Sequence, residues 1–188
     1  MTALLEDKNG FMVRQLYERI ILYDKKTNIR GLTLENTQDI PLRIGDFIKL
    51  EFLNISDNNL KKVPLSIILL FNLKIMKATC NPFGFPFELS FLVNLTYLEL
   101  NWCNIIDIPP EIANLKNLIV IYLKHNFISY LPVEMNNMRL RAIHLYSNKL
   151  MNVPSCVKDM KQLQFLDIRK NEVYTIEDYK GRVRIMYK

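Results

Sequence analysis

Apolar residues recur along this chain on two nested periods. The long period is 21 to 23 residues: Ile29, Leu50, Leu73, Leu95, Leu118, Leu140 and Leu163 each open a stretch with the same internal order. The short period is two. With each opening residue counted as position 1, positions 4 and 6 are apolar and alternate with positions 3, 5 and 7. Residues 118–126 show it clearly, with Leu118, Ile121 and Leu123 followed by Asn126. A period of two predicts a short strand whose positions 4 and 6 face inward. A fixed period above 20 residues predicts that these strands belong to one stacked, repeating unit.

The other positions complete the unit. Position 9 is Asn58, Asn81, Asn126, Asn148 and Asn171, with Thr37 and Cys103 as departures. A chain that turns inward after a strand strands backbone donors and acceptors, and an asparagine amide offers one of each. Asn58, Asn81, Cys103, Asn126, Asn148 and Asn171 are therefore expected to form a buried ladder between repeats. A softer turn is expected at Cys103, because a thiol is the weaker partner. Proline then recurs at Pro41, Pro64, Pro86, Pro109, Pro132 and Pro154, each close to an apolar residue. Proline fixes φ, lacks a donor and suits the first turn of a helix. Short helical turns are expected on the outer side.

A lone repeat cannot bury its own apolar face, so the ends need covers. Phe11, Met12, Leu16, Ile20, Ile21 and Tyr23 recur at roughly helical spacing, which predicts an amphipathic helix over 11–22. The expected organisation is an N-terminal helical cap over 1–28, repeats over 29–176 and a C-terminal cap or tail over 177–188. Within the tail, Arg182–Ile185 alternates basic and apolar residues and predicts a terminal strand.

The phrase Leu-x-x-Leu-x-Leu-x-x-Asn-x-Leu-x-x-Leu-Pro, best seen at Leu118, Ile121, Leu123, Asn126, Ile128, Leu131 and Pro132, resembles the 23-residue intracellular class of leucine-rich repeat. This class is similar to the Ras-group-related proteins, which include Ras-binding scaffolds and the repeat region of Ras-regulated adenylate cyclases. The resemblance covers about 29–176. It implies an α/β leucine-rich repeat solenoid, a horseshoe of about seven repeats with a parallel concave sheet and short helical turns on the convex side. It also implies a protein-interaction module, and a small-GTPase pathway more weakly.

Composition narrows the setting. Apolar residues make up 49% of the chain and charged residues 23%, as in an ordinary globular protein. The longest apolar run, around Leu65–Leu73, falls far short of the ~20 residues of a membrane span. Cys80, Cys103 and Cys156 form no CxxC pair, and the N-terminus has no basic-then-apolar leader. These features predict a reducing, cytoplasmic setting. The net charge of +6 invites a nucleic-acid reading. On the concave positions, however, Lys77, Lys124, Arg169 and Lys170 are matched by Glu35, Asp57, Glu99 and Asp167. That balance argues against a phosphate-binding face.

Outward strand positions 3, 5, 7 and 8 line the concave side, and the middle of it gathers aromatic residues. Tyr97, Trp102, Tyr122, His144 and Tyr146 fall on three adjacent strands, with Glu99, Lys124 and His125 beside them. Tyr and Trp combine large rigid area with a polar handle and are enriched among interface hot spots. These eight residues are the candidate surface for a protein partner; packing across a solvated sheet is the plainer alternative. No catalytic constellation accompanies them. His125 and His144 occupy positions 8 and 5, about 10 Å apart along the strand direction, with no ligand set for a metal. Cys80 has no base beside it, and the five glycines form no phosphate loop. The expectation is a non-enzymatic adaptor with no cofactor, either a signalling scaffold or an effector acting on host proteins. The second class is a regulatory or targeting subunit of an enzyme such as a phosphatase or ubiquitin ligase.

Overall fold

The structure is a computed structural model. It describes residues 2–6, 12–16, 28–173 and 183–187.

Among the described residues, ten strands form one open sheet. Strands β1 (Thr2–Glu6) and β2 (Met12–Leu16) pair antiparallel with each other, and β1 pairs antiparallel with β3 (Gly31–Glu35). From β3 onward every pairing is parallel: β4 (Phe52–Asn54), β5 (Ile75–Lys77), β6 (Tyr97–Glu99), β7 (Val120–Tyr122), β8 (Ala142–His144), β9 (Phe165–Asp167) and β10 (Arg184–Met186). Position 3 faces position 3 in each neighbour, as in Tyr97 opposite Val120 and Val120 opposite Ala142. The repeat read from the sequence is thus the register of the sheet. Hydrogen bonding runs past each strand end: the position 6 amide donates to the position 5 carbonyl of the next repeat, as in Leu100 to Tyr122 and Leu123 to His144.

Positions 1, 4 and 6 fill the interior. Leu118, Ile121 and Leu123 are fully buried, and their counterparts in the other repeats form one continuous core with them. Removing this apolar surface from water is the main driving force for stacking. On the outer side each proline precedes a five-residue 3-10 turn: Leu42–Asp46, Leu65–Leu69, Phe87–Phe91, Pro110–Asn114, Val133–Asn137 and Ser155–Asp159. The proline carbonyl accepts the first bond of its turn, from Ile44, Ile67, Leu89, Ile112, Met135 and Val157, and each donor side chain points into the core. One glycine is sterically required. A Cβ on Gly45 would stand 2.8 Å from the Ser66 carbonyl oxygen in the adjacent turn.

Asparagine side chains stitch the repeats together. The amide of Asn126 donates to the carbonyls of Leu123 in its own repeat and Leu100 in the preceding one. Its oxygen accepts from the Cys103 and Ile105 amides at 2.9 and 3.0 Å. Asn58, Asn81, Asn148 and Asn171 donate in the same way to position 6 carbonyls. At Cys103 the thiol donates to the Ala78 carbonyl at 3.2 Å but supplies no amide oxygen. The preceding loop is rewired accordingly. Phe83 donates to Asn81, Gly84 donates to the Cys103 carbonyl, and Gly84 adopts φ +73°.

The ends correct one expectation. Within the helix expected over 11–22, Met12–Leu16 is a strand; the rest of that range lies outside the described residues. An edge strand with unpaired amides and carbonyls can be completed by another strand, whereas a helix cannot supply that ladder. At the other end β10 adds in parallel to β9.

Candidate functional site

The concave surface is built by strand alternation and by one unusual turn. Position 8 adopts the left-handed conformation in every repeat, with φ of 57° at Trp102, 55° at His125 and 54° at Lys170. This turn drops position 9 into the ladder, while the position 8 amide bonds to the next repeat, as in Trp102 to Lys124 and His125 to Tyr146. It also throws the position 8 side chain onto the rim of the face. Asparagine or glycine would occupy such a backbone at little cost, whereas a bulky side chain costs roughly 1–2 kcal/mol.

Two files of rings cross the middle of the face. In the first, Tyr97 lies 5.3 Å from Tyr122, Tyr122 stacks on His144 at 4.2 Å with planes 5° apart, and His144 lies 5.1 Å from Phe165. In the second, Trp102 stacks on His125 at 3.9 Å with planes 9° apart, and His125 meets Tyr146 edge-on at 5.2 Å. Trp102 remains 54% exposed. Four cations sit over the rings: Lys77 on Tyr97, Lys124 on Tyr122, and Arg169 and Lys170 on Tyr146, at 5.3 to 5.9 Å.

The acidic groups are held within the surface. Glu99 accepts hydrogen bonds from the Tyr97 hydroxyl, the Asn101 amide and the Thr79 hydroxyl. Asp167 is buried and takes a bidentate pair from Arg169 at 2.8 Å each. Burial pushes the Asp167 carboxyl up, but its bonds to Arg169 outweigh that and hold it below its ordinary value. Burial, and then the Lys170 and Lys124 charges, lower His125; burial and Lys124 lower His144. Both imidazoles therefore favour the neutral form, which suits stacking on an aromatic ring. Burial and the bond to Glu99 raise the Tyr97 hydroxyl.

All eight residues of the candidate surface lie on β6–β8 or the turns that follow them, and ring contacts or hydrogen bonds join them. The structure adds Lys77, Phe165, Arg169 and Lys170, which extend the files by one repeat each way. Their signal was available in the sequence: each occupies a concave position beside an aromatic one. The thiols are less suited to chemistry. Burial pushes Cys103 up to about 12 and Cys156 up to about 11, and burial with Asp57 raises Cys80. Among the described residues no group of three His, Cys, Asp or Glu side chains could hold a metal ion, and no helix is long and apolar enough to cross a membrane.

A parallel solenoid with a turn-lined convex side and an exposed concave sheet defines the class of repeat proteins that bind other proteins. Comparison with known proteins narrows the class. The Leucine Rich Repeat family model matches residues 49–70 and 94–115, and this chain is a leucine-rich repeat protein. Adenylate cyclase of Schizosaccharomyces pombe is 31% identical over 134 residues, covering 68% of this chain and 8% of that protein. Among solved structures, internalin C2 of Listeria monocytogenes superposes with a TM-score of 0.74 at 21% identity, over 86% of this chain and 72% of its own. The plant peptide hormone receptor RGFR1, in complex with RGF2, gives 0.64 at 30% identity, over 75% of this chain. This chain spans 25% of the receptor's chain.

Proposed function

We propose that this chain is a non-catalytic adaptor in a reducing, cytoplasmic setting that captures a protein partner on Tyr97, Glu99, Trp102, Tyr122, Lys124, His125, His144 and Tyr146. The observation that carries this reading is Trp102. It is the chain's one tryptophan, it occupies a left-handed backbone that disfavours bulky side chains, and it stands exposed on a stacked histidine. A surface turn gains little in folding from an indole left 54% exposed, whereas an interface gains a rigid anchor. The plant receptor, solved with RGF2, supports the use of this fold to hold a polypeptide ligand. Three free cysteines support the reducing setting.

The adaptor acts in small-GTPase signalling or as an effector on host proteins. The likeness to a segment of an adenylate cyclase also favours a second version, in which the module directs an enzyme such as a phosphatase or ubiquitin ligase. Affinity capture with wild type beside Trp102→Ala/Tyr122→Ala tests the shared core of both. A partner held by wild type should be lost from the folded variant, and an unchanged set of captured proteins would remove the concave face from the account.

A further inference from the structure

A second surface lies away from the concave face, along the edge where the strands begin. The residue just before the opening leucine is Asn72, Asn94 and Asn117 in three successive repeats. Each side-chain amide donates to a carbonyl of the preceding repeat: Ile48 at 2.7 Å, Phe71 at 2.6 Å and Val93 at 3.0 Å. This outer ladder floors an open groove of about 620 Å³ that runs from Asn72 to Gln162. Five repeats at ~4.8 Å spacing make it about 20 Å long, room for roughly six residues of extended peptide.

The groove is polarised. Lys74, Arg139 and Arg141 line it, and no carboxylate does. Lys74 is occupied, at 2.7 Å from Glu51. Arg139 and Arg141 flank Leu140, are exposed and have no ion-pair partner among the described residues. Asp159 lines an adjoining hollow together with Arg139 and Lys161. Two free guanidinium groups at one end of an amide-lined track form a fork for a carboxylate. Each ladder asparagine spends one N–H on a carbonyl and keeps a second N–H and its oxygen, the complement of a peptide backbone.

We propose that this edge groove is a second binding site, for an extended acidic peptide whose carboxylates seat on Arg139 and Arg141. A nucleic acid fits less well. The groove offers no aromatic platform for bases, and its free cations cluster at one end rather than tracking a phosphate backbone. The site is separate from the concave patch and does not depend on it.

The test uses the full chain and a fluorescein-labelled octapeptide, Gly-Ser-Glu-Glu-Glu-Glu-Ser-Gly, followed by fluorescence anisotropy at physiological salt. Arg139→Gln/Arg141→Gln should weaken binding about tenfold or more, since charge-assisted hydrogen bonds are lost. Lys61→Gln/Lys62→Gln, which removes the same charge elsewhere, and Trp102→Asn should bind as wild type does. A glutamine version of the peptide should not bind. The proposal is overturned if wild type does not bind the acidic peptide, or if the Lys61/Lys62 variant loses as much affinity. It is equally overturned if the glutamine peptide, or a labelled oligothymidylate, binds as tightly.

Discussion

Trp102 and His125 place two bulky rings on backbone that favours asparagine or glycine. Trp102→Asn should therefore leave the melting temperature unchanged or raise it, with a gain of up to about 1 kcal/mol, while abolishing partner capture. A clear fall in melting temperature, read by differential scanning calorimetry, would show that the indole stabilises the fold instead. His144 makes a second prediction. Its pKa lies below the ordinary 6.5 because burial, and then Lys124, disfavour the cation. Below that ordinary value the unfolded chain binds the proton and the folded chain resists it. The contribution is therefore complete above about pH 6.5 and is lost as pH falls through the folded value. Thermal stability should drop as pH falls below about 6.5, and His144→Phe, which keeps a ring against Tyr122, should flatten that slope. An identical slope in the variant would assign the pH response to other groups.

At the scale of the element, much of the unit could be read directly. Strand alternation, the inward asparagine and the proline before each turn are local, and each has a mechanism that acts within one repeat. Three features could not be read that way. The outer amides of Asn72, Asn94 and Asn117 bond only to carbonyls of a preceding repeat, so one repeat in isolation gives no hint of them. The stretch at Met12–Leu16 carries apolar residues at a spacing that suits a helix, yet it is a strand, because the open edge beside β1 demands pairing that no local pattern encodes. The loop before Cys103 departs because its partner is missing from the next repeat. Two substitutions probe the element. Asn126→Ala strands the Cys103 and Ile105 amides and the Leu100 carbonyl, while the Leu123 carbonyl keeps Asn148, and should cost about 2–4 kcal/mol in urea unfolding. Gly45→Ala drives a methyl onto the Ser66 carbonyl between packed turns, and should cost about 1–3 kcal/mol. Either variant with unaltered midpoint would contradict the contact assigned to it.

Across the whole molecule, one register controls what is buried and what is presented. Eight parallel strands share a core on one side and a ringed surface on the other, and β1–β2 cover the edge of β3 that would otherwise stand open. Removing residues 1–27 should expose that edge and produce self-association, detected as a rise in mass by light scattering. A monomer of unchanged stability would mean the hairpin is dispensable. The candidate patch was legible as a set of positions because the register fixes which residues share the face. Its chemistry was not. The sequence counts Asp167 and Glu99 as charges that neutralise the face, whereas the structure buries the first under Arg169 and ties the second to three donors. Only packing shows that Lys77, Lys124 and Lys170 lie over rings, and that Arg169 lies over Tyr146 while it pairs with Asp167.

The central claim is that the stacked rings of the concave face hold a protein partner. It is tested most directly by quantitative capture from cell lysate with wild type, Trp102→Ala/Tyr122→Ala/Tyr146→Ala and the Arg139→Gln/Arg141→Gln edge variant, all matched for melting temperature. The account predicts at least one protein enriched by wild type and by the edge variant, and lost from the ring variant. Equal recovery of every captured protein by the ring variant would contradict it.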